Sequence, residues 1–163
     1  MPVFLQFTIE NHASFRDEAV LSFVSTANTD EPDWRMAHEK VDHGILPVVG
    51  IWGANASGKS QLIDALRFLR LAVRDSQNKW EPTGSIPWNP FRMQPDSEPT
   101  RMELEFVIER ARYVFGFTFT ARGFVEEWLY RWESHRRQTL YRRDARQPKE
   151  RGFHWPSLDG PRD

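Results

Sequence analysis

The sequence predicts an α/β fold in which antiparallel strands at both ends of the chain flank one strand–loop–helix unit. Three observations predict it. Residues 45–52, ILPVVGIW, form an almost wholly apolar run that enters a glycine-rich turn. Residues 59–75 carry Leu62, Leu66, Leu69 and Val73 at spacings of four, three and four, the stripe of an amphipathic helix. From Met102 onward apolar and polar residues alternate, the period of half-buried strands.

The elements follow in order. Residues 3–9, VFLQFTI, are rich in β-branched and aromatic types and read as a strand. NHAS breaks it as a turn, and residues 18–25, EAVLSFVS, read as a second strand able to pair with the first. Residues 26–44 are polar and carry Pro32 and Gly44, so a long loop is expected there. The apolar run 45–52 suits a strand buried on both faces. The helix then presents Arg67, Arg70 and Arg74 on a second face, expected to be solvated. Residues 76–100 contain five prolines and read as irregular. MELEFVIERARYVFGFTFT, FVEEWLYRW and QTLYRR read as a meander of three or four antiparallel strands with a break at Glu109–Ala111. Residues 146–163 are expected to be an irregular tail, although Phe153 and Trp155 can anchor part of it.

At 163 residues the chain is long enough for one domain with a real core, and 39% hydrophobic residues support a globular fold. The formal net charge of −1 gives no global argument for nucleic acid or an anionic membrane. The balance is uneven, with 9 Lys/Arg against 13 Asp/Glu in residues 1–100 and 13 against 10 in residues 101–163. Cys is absent, which excludes disulfides and thiolate metal sites and fits a reducing cytoplasm. The start MPVFLQFTIENHASF lacks a basic lead and a long apolar segment, so it does not read as a secretory signal. No apolar run approaches the roughly 18 residues that a membrane span needs.

The chemistry concentrates in Gly53-Ala54-Asn55-Ala56-Ser57-Gly58-Lys59-Ser60, a full match to G-x-x-x-x-G-K-[ST], with Gln61 next in the helix. Phosphate oxygens must be met by several backbone N–H groups at once, so the chain has to curl around them. Gly53 and Gly58 permit the backbone angles and close approach that a Cβ blocks. The helix N-terminus adds unpaired N–H groups and positive dipole character. Lys59 brings a full charge to the β and γ phosphates, and Ser60 offers a hydroxyl to Mg²⁺. With Gly near 7% of residues, the string arises by chance in roughly one chain of this length in a few hundred. The apolar run before it and the amphipathic helix after it supply the required context.

FTIENHASFRDEAVLSF, LPVVGIWGANASGKSQLIDALRFL and FVEEWLYRW together resemble the N-terminal part of bacterial AAA-family ATP-binding proteins. These are relatives of the ATP-binding-cassette heads of the RecF, SMC and overcoming-lysogenization-defect groups. The resemblance covers nearly residues 1–145 and implies a P-loop NTPase lobe at residues 1–80, a β-meander at 101–143 and a tail at 146–163. It implies ATP and Mg²⁺ as cofactors, and a nucleotide-sandwiched dimer or a second ATPase lobe as partner. It also implies work on DNA or in anti-phage defence beside a nuclease or toxin. Two departures stand out. Relatives usually read Asn-Phe-Arg-Ser where this chain has Asn11-His12-Ala13-Ser14, so the Arg is absent. Residues 76–163 contain no run of four apolar residues followed by two acids, the strand that polarises the attacking water in the family. The expectation is lobe one alone, an ATP-binding domain whose hydrolysis needs elements supplied from elsewhere. No catalytic residue is identified, and a non-catalytic interaction module or relic is the alternative.

Other constellations carry less. Glu126 and Glu127 sit in the meander and read as solvent-face or turn residues. His38 and His43, with Glu39 and Asp42, invite a metal reading, but a polar loop explains them as well. Residues 131–151 hold eight Lys/Arg against three Asp/Glu, with Trp132 and Tyr141 among them. Such a stretch can track a nucleic-acid backbone or form a soluble edge-strand surface. Trp128, Tyr130 and Trp132 are spaced by two and share one face if this segment is a strand.

Overall fold

A computed structural model of the chain describes residues 2–26, 36–38, 41–79, 86–93, 98–133 and 136–156. Its centre is a seven-stranded sheet in the order β2-β1-β5-β6-β7-β8-β9, antiparallel at every pairing. The strands are β1 (Val3–Glu10), β2 (Ala19–Ser22), β5 (Thr100–Ile108), β6 (Ala111–Thr120), β7 (Gly123–Trp132), β8 (Arg137–Asp144) and β9 (Phe153–His154). A two-stranded hairpin, β3 (Met36–His38) with β4 (Val41–Ile45), forms a second sheet, joined to the first by a bridge from Ile45 to Val24 and by packing of Ile45 on Leu5 and Val107. One long helix, α1 (Lys59–Lys79), and one short turn of helix, α2 (Lys149–Gly152), complete the elements among the described residues.

The expected pairing of the first two strands and the four-stranded meander are both present. Alternation along the strands separates the two faces of the sheet. Ile9, Met102, Phe117 and Glu127 lie side by side in register, and Phe117 is 1% exposed. The neighbouring row is Thr8, Glu103, Gly116 and Trp128. Cross-strand partners share a face and successive residues alternate, so these rows point to opposite sides. The first row meets α1. Ala65, Leu69 and Ala72 pack with Phe7, Ile9, Met102, Phe117 and Phe119, and Phe68 stacks on Phe119 at 4.7 Å. Burying each such Phe contributes about 1.5–3 kcal/mol, an upper bound given residual burial in the unfolded chain.

The second face is polar and aromatic. Trp128, Tyr130 and Trp132 do share it, and each ring carries a guanidinium: Arg101 over Trp128, Arg137 over Tyr130 at 4.6 Å and Arg112 over Trp132 at 5.0 Å. Trp128 is nevertheless buried, because its cross-strand partner is Gly116. A Cβ on Gly116 would lie 2.4 Å from the indole ring. The indole Nε1 donates to Glu103 at 2.9 Å. Glycine here makes the space that the ring fills.

Several expectations need correction. Residues 46–54 form no strand; only Ile45 belongs to one, as the last residue of β4. A strand buried on both faces needs neighbours on both sides, and here Val48 is 73% and Trp52 86% exposed. Ala72, not Val73, ends the buried stripe of α1; Val73 points to solvent. The expected loop at 26–44 contains the β3–β4 hairpin, with residues 27–35 and 39–40 outside the described residues. The tail is ordered through residue 156 rather than wholly irregular, since β9 pairs with β8 and Tyr141, Phe153 and Trp155 form an aromatic row. Arg67, Arg70 and Arg74 are exposed as expected. No helix among the described residues is long and apolar enough to cross a membrane.

Gly116→Ala tests the packing of the second face. It is expected to cost about 1–3 kcal/mol, the range for overpacking a fitted site. Denaturant unfolding followed by tryptophan fluorescence measures it, and an unchanged midpoint would show that the indole moves aside freely.

Candidate phosphate-binding site

The glycine-rich loop is curled as its composition requires. Gly58 has φ +92°, a conformation that side chains disfavour. Gly53 serves close approach, since a Cβ there would lie 2.8 Å from Ser57 Oγ. The other left-handed residue is Ala56, at φ 64°, a position the motif does not reserve for glycine. Alternation of right- and left-handed residues turns successive N–H groups to one side and makes an anion-binding concavity. Lys59 Nζ closes the loop by donating to the carbonyls of Gly53 at 2.7 Å and Ala54 at 2.6 Å. The first turn of α1 contains no acid, so nothing there opposes an anion.

The loop forms one wall of a cleft of about 590 Å³. Asn55, Ala56, Ser57, Gly58, Lys59, Ser60 and Gln61 line that wall, and Ala13, Ser14, Asn89 and Arg92 line the other. Every loop residue expected at the site from Asn55 to Gln61 is therefore brought together. Gly53 and Ala54 contribute their carbonyls to Lys59. Among the described residues Lys59 and Arg92 are the charged members of the lining, and no carboxylate belongs to it. Glu126 and Glu127 lie instead on β7, where Glu126 pairs with Arg146 and Glu127 with Arg143.

The second wall was not expected from the sequence, and Asn11 builds it. Asn11 ends β1 in a left-handed conformation, φ 49°, and is 3% exposed. Its Oδ1 accepts from Phe91 N–H at 3.0 Å, and its Nδ2 donates to the carbonyl of Glu98 at 2.7 Å. Its own carbonyl accepts from the hydroxyl of Thr100, which in turn accepts from Trp88 Nε1. Ala13 N–H then donates to the carbonyl of Asn89 at 2.7 Å. The turn 11–15 and segment 86–91 are thereby one unit. The loop rests on that unit: a Cβ on Gly58 would lie 2.5 Å from Ser14 Oγ. The only hint in the sequence was the Asn-x-x-Ser pattern at 11–14.

His12 is buried in the same turn, and its Nδ1 has no hydrogen-bond partner among the described residues. Burial lowers its pKa, opposed by the nearby Asp64 carboxylate of α1. Among the described residues no group of three or more His, Asp or Glu could hold a metal. The side chains of His38 and His43 lie outside them. The basic stretch 131–151 is largely engaged within the sheet: Arg131 pairs with Glu133, Arg142 with Glu126, Arg143 with Glu127, and Arg146 with Asp144 and Glu126.

Residues 48–158 match the family model described as "AAA domain, putative AbiEii toxin, Type IV TA system". The chain belongs to this family. It carries a P-loop ATPase-type, nucleotide-binding AAA domain, and the match begins just before the curled loop. A comparison with curated proteins gave no match.

Two expected outcomes follow for the second wall of the AAA domain. Asn11→Ala leaves the Phe91 N–H and Glu98 carbonyl unpaired and is expected to cost about 2–4 kcal/mol in denaturant unfolding, at roughly 1–3 kcal/mol per orphaned group. His12 has a native pKa below its unfolded value, so its contribution is complete above the unfolded value and is lost as pH falls towards the native one. Unfolding free energy is therefore expected to decline below about pH 6.5, by at most about 1.4 kcal/mol per pH unit from this group. His12→Gln should flatten that part of the profile, and an unchanged slope would remove His12 as its source.

Proposed function

We propose that this chain binds MgATP through Gly53–Gln61 and is a nucleotide-holding domain rather than a self-sufficient hydrolase. The cleft lining carries this reading: curled backbone, a helix N-terminus, Lys59 and Arg92, and no carboxylate among the described residues. Such a surface suits a polyphosphate and repels no part of it. Lys59 is the charge for the β and γ phosphates. The exposed Ser60 hydroxyl, in the first turn of α1, is the group that would hold Mg²⁺. The metal would neutralise phosphate charge there.

Hydrolysis also needs a positioned water and a group to orient it. Among the described residues no carboxylate reaches the cleft to do so. This favours the second reading, a non-catalytic nucleotide-binding module, for the chain taken alone, with catalytic elements supplied by a second lobe or a second copy. The exposed apolar side chains of Val48, Ile51 and Trp52, immediately before the loop, support a covering partner. The family description adds the biological setting we propose, nucleotide binding coupled to a toxin–antitoxin system.

Calorimetry of MgATP binding with phosphate release on the same samples tests this. Lys59→Ala is expected to weaken binding about 10- to 100-fold, the equivalent of a lost charged hydrogen bond of about 1.5–3 kcal/mol. Wild type is expected to release phosphate at the background rate. A Lys59-dependent turnover of about 1 s⁻¹ or more, ordinary for enzymes, would overturn the non-catalytic reading.

A further inference from the structure

We propose that Arg92 is a nucleotide-binding residue, a second cation that holds the phosphate chain at the end of the cleft away from Lys59 Nζ. The proposal rests on the phosphate-binding reading of the loop and names a contact that the loop motif does not contain.

Three observations place Arg92 there. Lys59 Nζ is drawn to the opening of the loop, against the carbonyls of Gly53 and Ala54. The second wall touches the loop at its other end, where Ser14 Oγ faces Gly58. Arg92 belongs to that second wall, following directly on the segment that Asn89 and Phe91 pin to residues 11–13. A polyphosphate lying along the loop has its terminal phosphates beside Lys59. Its first phosphate then lies near Gly58 and the start of α1, where the second wall meets the loop, and Arg92 lines the cleft from that wall.

The chemistry agrees with the position. Arg92 is exposed, and among the described residues no carboxylate pairs with it. On the polar sheet face, by contrast, Arg101, Arg112, Arg131 and Arg137 are each matched to an acid or an aromatic ring. Guanidinium is a planar donor fork suited to phosphate oxygens. Position 13, one residue before Ser14, is alanine, so the turn itself brings no charge to the cleft. Arg92 supplies that charge from the facing segment, held to Ala13 through the carbonyl of Asn89.

Calorimetry with MgATP, MgADP and magnesium tripolyphosphate on wild type, Arg92→Ala, Arg92→Lys and Lys59→Ala tests the assignment, with thermal unfolding as the control for folding. Arg92→Ala is expected to weaken ATP, ADP and tripolyphosphate alike, by about tenfold for one charge-assisted contact, with Arg92→Lys in between. Lys59→Ala should instead weaken ATP more than ADP. Unchanged affinities in Arg92→Ala, with Lys59→Ala impaired, would overturn the assignment and leave the loop reading intact. Loss for ATP but not ADP would overturn the placement at the first phosphate. Loss for the nucleotides but not tripolyphosphate would make Arg92 a base contact and overturn its phosphate role. Impairment in Arg92→Ala without any in Lys59→Ala would overturn the loop reading and with it the placement of Arg92 beside the loop-bound phosphates, and no binding by wild type would overturn both.

Discussion

One buried asparagine decides where the parts of this domain stand. Asn11 leaves β1 in a left-handed conformation and uses both ends of its carboxamide on backbone groups about 80 residues further along the chain. No apolar side chain could do this. A backbone N–H and a carbonyl facing each other across a gap need one donor and one acceptor on the same short side chain, and Asn carries both. Asn is also among the residues that tolerate the left-handed region. Once Asn11 is fixed, the turn that follows it and the proline-rich segment before β5 cannot move independently. Their shared surface becomes the floor on which the loop lies.

That floor explains why a mostly antiparallel sheet carries a phosphate loop. α1 covers one face of the sheet, and its ring-on-ring packing of Phe68, Phe117, Phe119 and Phe124 fixes the helix axis. The loop is the entry to that helix, so its position along the axis follows from the core. Its rotation about the entry point does not, and the contact of Gly58 with Ser14 sets it. On the opposite face Ile45 of β4 covers Val107 and Leu5, and the rest is polar and aromatic. Its aromatic rings are capped by arginines, and its charges are matched across strands, each exposed pair worth about 0–1 kcal/mol but together keeping the face wet.

What the sequence made legible is what depends on local period. The helix, the loop and the meander strands each declare themselves within ten to twenty residues, through spacing of 3.6 or 2 and through Gly53, Gly58 and Lys59. What it hid is what depends on distant partners. The run Ile45–Trp52 has the composition of a doubly covered strand, but composition reports the preference of the side chains, not the presence of neighbours, and here no strand pairs with residues 46–54. Ala72 rather than Val73 continues the stripe, because the buried positions of α1 run 65, 69 and 72 at spacings of four and three. Asn89 and Arg92 were hidden among prolines that signal only an absence of regular structure. Their place in the cleft follows from hydrogen bonds to Asn11 and Ala13, which no local pattern announces.

The two walls of the cleft differ in how firmly they are built, and this bears on how a ligand is held. Asn11 and Thr100 are buried and bonded, so the second wall exists before any ligand arrives. Residues 52–57 are exposed, and the loop keeps its curl through Lys59 and through the contact at Gly58. Ala56 in a left-handed conformation costs about 1–3 kcal/mol unless something holds it there. On the proposed reading Lys59 has two tasks, charge for the phosphate and closure of the loop that receives it. If the closed loop is only part of the population, apparent affinity falls by that fraction. A group on the rigid wall escapes this loss, because its place does not depend on the loop. If Arg92 holds a phosphate as proposed, its place next to the bonded wall gives the cleft an anion contact that does not wait for the loop to close.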